Sequence, residues 1–418
     1  MGTVRNKSYR YLRYLARLFV VMNVIYFAIF IMSGKKQKAL KFIDLFAGIG
    51  GFHIAMKDLG NVCVFASDID KDCRDVYEKN FNHKVVGDIT AVREKDVPAH
   101  DVLLAGFPCQ PFSKGGHRRG FSDTRGTLFF DIERILRHHK PAYVLLENVQ
   151  NLVTHDEGRT YSVILETLRD IGYTVPEEPI ILSPHQFGLP ALRKRIYIPA
   201  IYKHAKKLEF SFPDESKTIA DGLAYTVLNP SLKIQESVTP YEKKVIKMWN
   251  EFYKGIDQKV IGFPVWFDYF KYKGSLRAFP TWKQDFITKN KDLYARNKRF
   301  IDVWAKKYDN LSWVRDTHRK FEWQAGLHAK NIYETLIQFR PSGVRVKRAT
   351  YFSTLVAMNH GQIVGKVLRR LLPDEAKLLQ SFPKNFKLHS DEAVAMKQLG
   401  NAVNVHVVRT VLEQLFRQ

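Results

Sequence analysis

From residue 41 onward, short apolar runs alternate with stretches whose apolar residues recur at helical spacing. The pattern predicts strands over 42–46, 61–66, 101–105 and 142–147. Between them it predicts helices over 51–59, ended by Gly60, over 72–81 and over 127–139. The last places Leu128, Ile132, Ile135 and Leu136 on one face. Strands alternating with helices give a parallel sheet covered on both faces, an α/β fold, whose ligands gather at the carboxyl ends of the strands. Gly48, Asp68, Cys109 and Glu147 all stand at or just past such ends, so one crevice can hold them.

After 195–199 the alternation stops. Residues from about 203 to 340 mix aromatic and basic side chains, as in 263–273 and 294–304, without a clear period. This reads as a second domain. Regular patterning resumes over 370–380 and in an amphipathic helix over 405–416.

Composition sharpens one point. The 418 residues carry a formal net charge of +24, an excess of Lys and Arg that favours a polyanionic partner, nucleic acid before anionic membrane. Three cysteines without paired spacing, Cys63, Cys73 and Cys109, argue against a disulfide framework or a zinc site and fit a reducing compartment. Cys63 and Cys73 lie in apolar or helical surroundings and read as packing residues. Residues 18–32 form an apolar stretch interrupted by Asn23, shorter than the ~20 residues of a spanning helix. Basic flanks on both sides give no orientation, and no good signal-cleavage site follows. The favoured reading of 1–34 is an extension upstream of a true start at Met32, with a membrane anchor as the lesser alternative.

Two motifs carry chemistry. Phe46-Ala-Gly-Ile-Gly-Gly51 follows a strand and opens a helix, where glycines let the backbone turn and approach a ligand. Asp68, at the next strand end, can grip ribose hydroxyls; on these residues alone a NAD-binding enzyme is also open, although the spacing is not Gly-x-Gly-x-x-Gly. Phe107-Pro-Cys-Gln-Pro-Phe-Ser113 follows a buried strand and poses Cys109 as a nucleophile, while Glu147-Asn148-Val149 closes another. Each also has a plain reading: a turn, an inert thiol, a helix cap.

Taken together and in this order, Asp44–Phe52, the Cys109 segment, Glu147–Val149, Arg193-Lys-Arg195 and Gln398-Leu-Gly-Asn401 resemble the DNA (cytosine-5) methyltransferases of bacterial restriction–modification systems. The resemblance implies a Rossmann-like S-adenosylmethionine-dependent domain over 35–205 and a smaller, irregular target-recognition domain over 206–372. It further implies a segment over 373–418 that returns to the first domain. By the same match Phe46, Gly48, Gly50, Asp68, Ile69, Asp88, Ile89, Pro108 and Asn401 hold the cofactor. Cys109 attacks carbon 6 of a flipped cytosine, Glu147 serves ring nitrogen 3, and Arg193 and Arg195 support them. Gln110, Ser113, Lys114, Arg118 and Arg119 belong to a mobile loop that meets DNA. Ile69 stands where some members have an aromatic residue, and Ala191 where the family pattern has Gln. Residues 340–348 read as a groove or phosphate contact or, equally, as a solvated basic strand.

The resemblance thus implies a sequence-specific, S-adenosylmethionine-dependent enzyme acting on double-stranded DNA. It would be a monomer in the bacterial cytoplasm, independent of any cognate endonuclease. Rival readings are an RNA methyltransferase of the same fold, a DNA-binding protein without catalysis and a membrane-tethered basic protein. An amino-group DNA methyltransferase would carry an Asn/Asp-Pro-Pro-aromatic motif, which is absent.

Overall fold

In this computed structural model the described residues are 38–107, 128–214, 220–229, 237–258, 261–355 and 361–418. The apolar runs become the centre of a sheet. β1 (Lys41–Leu45) lies between β2 (Val62–Ser67) and β3 (Val102–Gly106), with β4 (Tyr143–Val149) beyond β3, all parallel. β5 (Tyr173–Thr174), β6 (Ile180–Leu182) and β7 (Arg195–Tyr202) complete it, with β7 antiparallel to β4 and pairing with both of the others. The strand order is β2-β1-β3-β4-β7-β5.

Both faces of this sheet are covered, which is why its strands read as unbroken apolar runs. Phe42, Val102, Leu104 and Leu145 face one layer, built from α1 (Gly51–Asp58), α2 (Lys71–Phe81) and helices from the end of the chain. Ile43, Leu45, Leu103 and Val144 face the other, built from α3 (Phe129–His139) and α4 (Arg159–Ile171). Local chemistry sets the helix ends. Asp70 accepts from the N–H groups of Asp72 and Cys73 to start α2, which stops at Asn82 in the left-handed conformation, φ 49°. Gly158 and Gly172 bracket α4 at φ 88° and 106°.

The region expected to be irregular is a second sheet. Its strands are β8 (Val265–Trp266), β9 (Lys320–Gln324), β10 (Thr335–Arg340), β11 (Gly343–Arg348), β12 (Ile363–Val364) and β13 (Arg369–Arg370), in the order β13-β12-β10-β11-β9-β8. Three helices accompany it: α5 (Pro240–Gly255), α6 (Thr281–Arg296) and α7 (Lys298–Lys307). The aromatic residues that blurred the sequence pattern are its core. Trp249 stacks on Phe321 at 4.9 Å and Tyr253 on Trp323 at 3.5 Å, with Phe252 and Trp304 buried beside them. Basic residues interleave because they occupy the outer faces of the same helices.

Two connections tie the sheets together. Phe352 exchanges backbone hydrogen bonds with Pro190 and Leu192, each 2.8 Å, and Thr354 donates to the Leu192 carbonyl at 2.8 Å. On the way back, Arg369 and Glu375 form a buried bidentate pair, both bonds 2.7 Å, in which Glu375 also accepts from the N–H groups of Leu372 and Asn229. α8 (Pro373–Leu379), α9 (Glu392–Asn401) and α10 (Val405–Leu415) then pack on the first sheet. Among the described residues no helix is long and apolar enough to cross a membrane. The apolar stretch 18–32 and the rest of the 1–34 extension lie outside the described residues.

Candidate active site

A cavity of about 560 Å³ opens at the carboxyl ends of β1 to β4 and is closed on one side by the end of α9. One end of it begins where β1 stops. Phe46 takes φ 57°, a left-handed backbone that is costly for an aromatic residue. Gly48 and Gly50 follow at φ 55° and 88°. The two glycines do different things. At Gly48 nothing lies within 4 Å of where a Cβ would stand, so the backbone faces open cavity. At Gly50 a Cβ would sit 2.2 Å from the Phe81 ring, so this glycine makes room for α2 and does not line the cavity.

Asp68, at the end of β2, accepts from the Gly48 N–H at 2.7 Å and the Asp70 N–H at 2.8 Å. Both oxygens are thereby oriented and each keeps a lone pair. Burial pushes its carboxyl above the ordinary range, opposed by those two backbone donors. Arg74 steadies the turn by donating to the carbonyls of Asp68 and Ile69, at 2.9 and 2.8 Å. Ile69 itself stands 75% exposed on the cavity rim. Asp88 spends one oxygen on the Thr90 N–H at 2.9 Å, and it lines the cavity together with buried Ile89.

At the other end Glu147, buried on β4, lies beside Arg195, the first residue of β7, with Nε 3.1 Å from Oε1. The antiparallel pairing of β4 with β7 sets this meeting, since Val149 opposes Arg195. The Oε1 atom is buried without an aligned hydrogen bond among the described residues. The neighbouring Asn148 donates to the Phe107 carbonyl at 3.1 Å and so holds the chain two residues before Cys109.

Arg193 behaves differently from Arg195. It is buried, and its guanidinium donates to the carbonyls of Gly400 and Asn401 at 2.8 and 3.3 Å. Burial, then the charge of Arg195, pulls it down to about 10, which leaves it charged near neutrality. Its role is to lock the loop before β7 onto the end of α9. Asn401 enters the cavity wall through that lock, its carbonyl facing Arg193.

The family model of the C-5 cytosine-specific DNA methylases matches residues 40–417. The chain belongs to this family. Like other C-5 cytosine-specific methylases it is a methyltransferase acting on carbon 5 of cytosine in DNA. Among its relatives, the type II methyltransferase M.AluI of Cellulosimicrobium cellulans is 32% identical, aligned over 92% of this chain and 93% of that protein. M.HhaI of Haemophilus parahaemolyticus is also 32% identical, over 91% and 95%. M.HpaII of Haemophilus parainfluenzae reaches 51%, over 44% of this chain and 53% of its own length. Two solved structures share the fold. Entamoeba histolytica methyltransferase EhMeth superposes at a TM-score of 0.55, with 17% identity over 91% of this chain and 99% of its own. A DNMT2 variant from Spodoptera frugiperda gives 0.54, with 18% identity over 90% and 99%.

Within this methylase, the structure brings Phe46, Gly48, Asp68, Ile69, Asp88, Ile89, Glu147, Arg193, Arg195 and Asn401 to one cavity. Gly50 is left behind it. Pro108, Cys109 and the loop residues Gln110, Ser113, Lys114, Arg118 and Arg119 lie outside the described residues. Three further residues emerge. Ser183 is fully buried and accepts from the Arg193 N–H at 2.9 Å. Asn148 anchors Phe107. Gln398 lines the cavity with both amide atoms buried and unpaired among the described residues. Asn148 and Gln398 belong to motifs visible in the sequence, where only their neighbours were assigned. Ser183 has no such signal, because its value comes from the fold bringing 183 beside 193.

Proposed function

We propose that this methylase is sequence-specific and uses S-adenosylmethionine, that it acts as the modification half of a restriction–modification pair, and that Cys109 attacks a flipped-out cytosine. The name of each aligned relative as a type II methyltransferase supports the biological setting. In that setting the enzyme works on double-stranded DNA as a monomer, in the bacterial cytoplasm and independently of the endonuclease. Residues 206–372 would supply target recognition and 35–205 with 373–418 the chemistry.

The cavity fits the cofactor. Phe46 and Ile69 offer apolar surfaces to an adenine, Asp68 and Asp88 offer acceptors to ribose hydroxyls and the adenine amino group, and the open side of Gly48 admits the amino-acid end. When bound, S-adenosylmethionine supplies an electrophilic methyl group on a sulfonium. Carbon 5 of cytosine is too electron-poor to take it directly. The Cys109 thiolate therefore adds to carbon 6, with the Glu147 carboxyl holding a proton at ring nitrogen 3. Carbon 5 becomes enamine-like and would take the methyl group as its bond to sulfur breaks, the electron pair staying on the sulfur that leaves as a neutral thioether. Loss of the carbon 5 proton and expulsion of the thiolate then restore the aromatic ring. Arg195 fixes the Glu147 carboxyl, and Arg193 holds the wall behind it.

The buried Glu147–Arg195 pair, one strand over from the strand that leads into Cys109, carries this reading. A duplex bearing 5-fluorocytosine at the target, located by bisulfite sequencing, tests it. An SDS-resistant adduct is expected with the wild type, because the fluorine blocks proton loss. Cys109→Ser should still bind DNA but form no adduct. A wild type that methylates cytosine without trapping, or a serine variant that turns over, overturns covalent catalysis.

A further inference from the structure

The second sheet turns one face to its aromatic core; the other is polar over β9, β11 and the end of β10, while Leu336 and Val364 on it are buried in a separate apolar cluster. Register says which residues share each. Val344 opposes Phe321 and Phe339, and Val346 opposes Trp323 and Ile337, all on the core side. One step along, side chains point the opposite way. There Arg345 has Glu322 on one neighbour and Gln338 on the other, with Lys347 two positions further along β11 and Lys320 two positions back along β9.

Two features distinguish this face from an ordinary solvated one. Arg345 is pinned: its Nε donates to Glu322 at 2.5 Å, while its two terminal nitrogens make no hydrogen bond among the described residues. A planar fork held at its base is preorganised to donate two bonds at once. The Lys347 end also abuts, through Tyr351, the loop before β7 that carries Ser183 and Arg193. Its Nζ donates to Ser353 at 3.1 Å and lies 4.6 Å from the Tyr351 ring centre, which in turn is 5.4 Å from that of His185. His185 bonds the Ser183 hydroxyl that accepts from the Arg193 N–H.

We propose that this face reads base edges of the DNA beside the target cytosine, with Arg345 recognising a guanine and Gln338 the adjoining base. The proposal rests on the function argued above and names which residues of 206–372 do the reading. A guanidinium fork matches the O6 and N7 acceptors that guanine shows in the major groove, and an amide suits a base offering both a donor and an acceptor. Lys320, on β9, suits a phosphate, while Lys347 is turned inward against Ser353 and Tyr351, where burial lowers it to about 8.

The test starts from the target site of the wild type, fixed by bisulfite sequencing. Equilibrium binding is then measured to that duplex and to every duplex differing from it by one base pair, with wild type, Arg345→Lys and Gln338→Ala. Lysine keeps the charge and loses the fork. The wild type should reject replacement of one G·C pair by roughly 5- to 150-fold, the worth of one bidentate contact. Arg345→Lys should flatten that preference alone, and Gln338→Ala the preference at the neighbouring pair. Binding that weakens equally on all duplexes is what a phosphate contact or a purely structural ion pair gives, and it overturns the proposal. Unchanged discrimination does the same. A wild type that methylates no cytosine overturns the underlying function, and this reading with it; with methylation intact, only the reading face falls.

Discussion

At the scale of single residues, two glycines of one turn separate folding from binding. Both have positive φ, so any side chain costs backbone energy. Only Gly50 also has a neighbour in the way, the Phe81 ring. Gly50→Ala should therefore lower stability by about 2–5 kcal/mol, the sum of the φ penalty and an overpacked contact. Gly48→Ala should cost only about 1–2 kcal/mol in stability, since it meets open space, but should weaken S-adenosylmethionine binding more than Gly50→Ala does. Chemical denaturation and calorimetric titration of both variants check the contrast. The reverse ranking in either measurement would contradict the division of roles. From the sequence the two looked alike, because a glycine-rich motif reports backbone freedom and not what lies beyond the missing Cβ.

At the scale of elements, the entry to α5 shows how local signals hold the second sheet in place. Thr239 accepts from the Glu242 N–H at 3.2 Å, and Glu242 returns a bond to the Thr239 N–H at 2.9 Å, with Pro240 at the first helical position. Glu242 also pairs with Arg370 of β13 at 2.6 Å, so the cap is tied to the far edge of the sheet. Thr239→Ala should cost about 1 kcal/mol of unfolding free energy. Because the cap lies away from the cavity, cofactor affinity should stay at the wild-type value. Glu242→Ala should cost more, since it breaks the cap and strands the half-buried Arg370. Equal losses in the two variants would mean that the tie to β13 contributes nothing. The capping box is plain in Thr-Pro-Tyr-Glu, yet the sequence pattern did not yield this helix. Its buried positions are aromatic as well as aliphatic, and basic residues fall between them.

At the scale of the whole molecule, acid sensitivity follows from three histidines packed around the first sheet. Burial pushes His53 down to about 3 and His100 and His406 down to about 4. Each is neutral in the folded chain while the unfolded chain still takes up its proton at the ordinary value near 6.5. Their stabilising contribution is complete above that value and is lost as pH falls toward 4. Asp44 and Asp68, raised by burial, act with the opposite sign, since protonation relieves them. The melting temperature should thus fall by several degrees between pH 7.5 and pH 5. His406→Leu should narrow that gap by removing one member of the set. An unaltered gap in the variant would exclude His406 as a contributor.

The order of strands and helices over 41–147 followed from the sequence alone, because a sheet buried on both faces forces apolar runs whose period needs no tertiary information; α4, β5, β6 and the antiparallel β7 did not. The position of the cavity was equally legible, since Phe46, Asp68 and Glu147 stand at strand ends, while the roles given to them and to Arg195 came from the family resemblance. Tertiary structure decided what spacing cannot encode. It divided the labour between Arg193, spent on the carbonyls of Gly400 and Asn401, and Arg195, left to Glu147. It recruited Ser183 and turned an aromatic, basic stretch into a packed sheet whose outer face is polar over part of its width. Those outcomes depend on contacts between residues up to some two hundred positions apart, where chain order says nothing about distance.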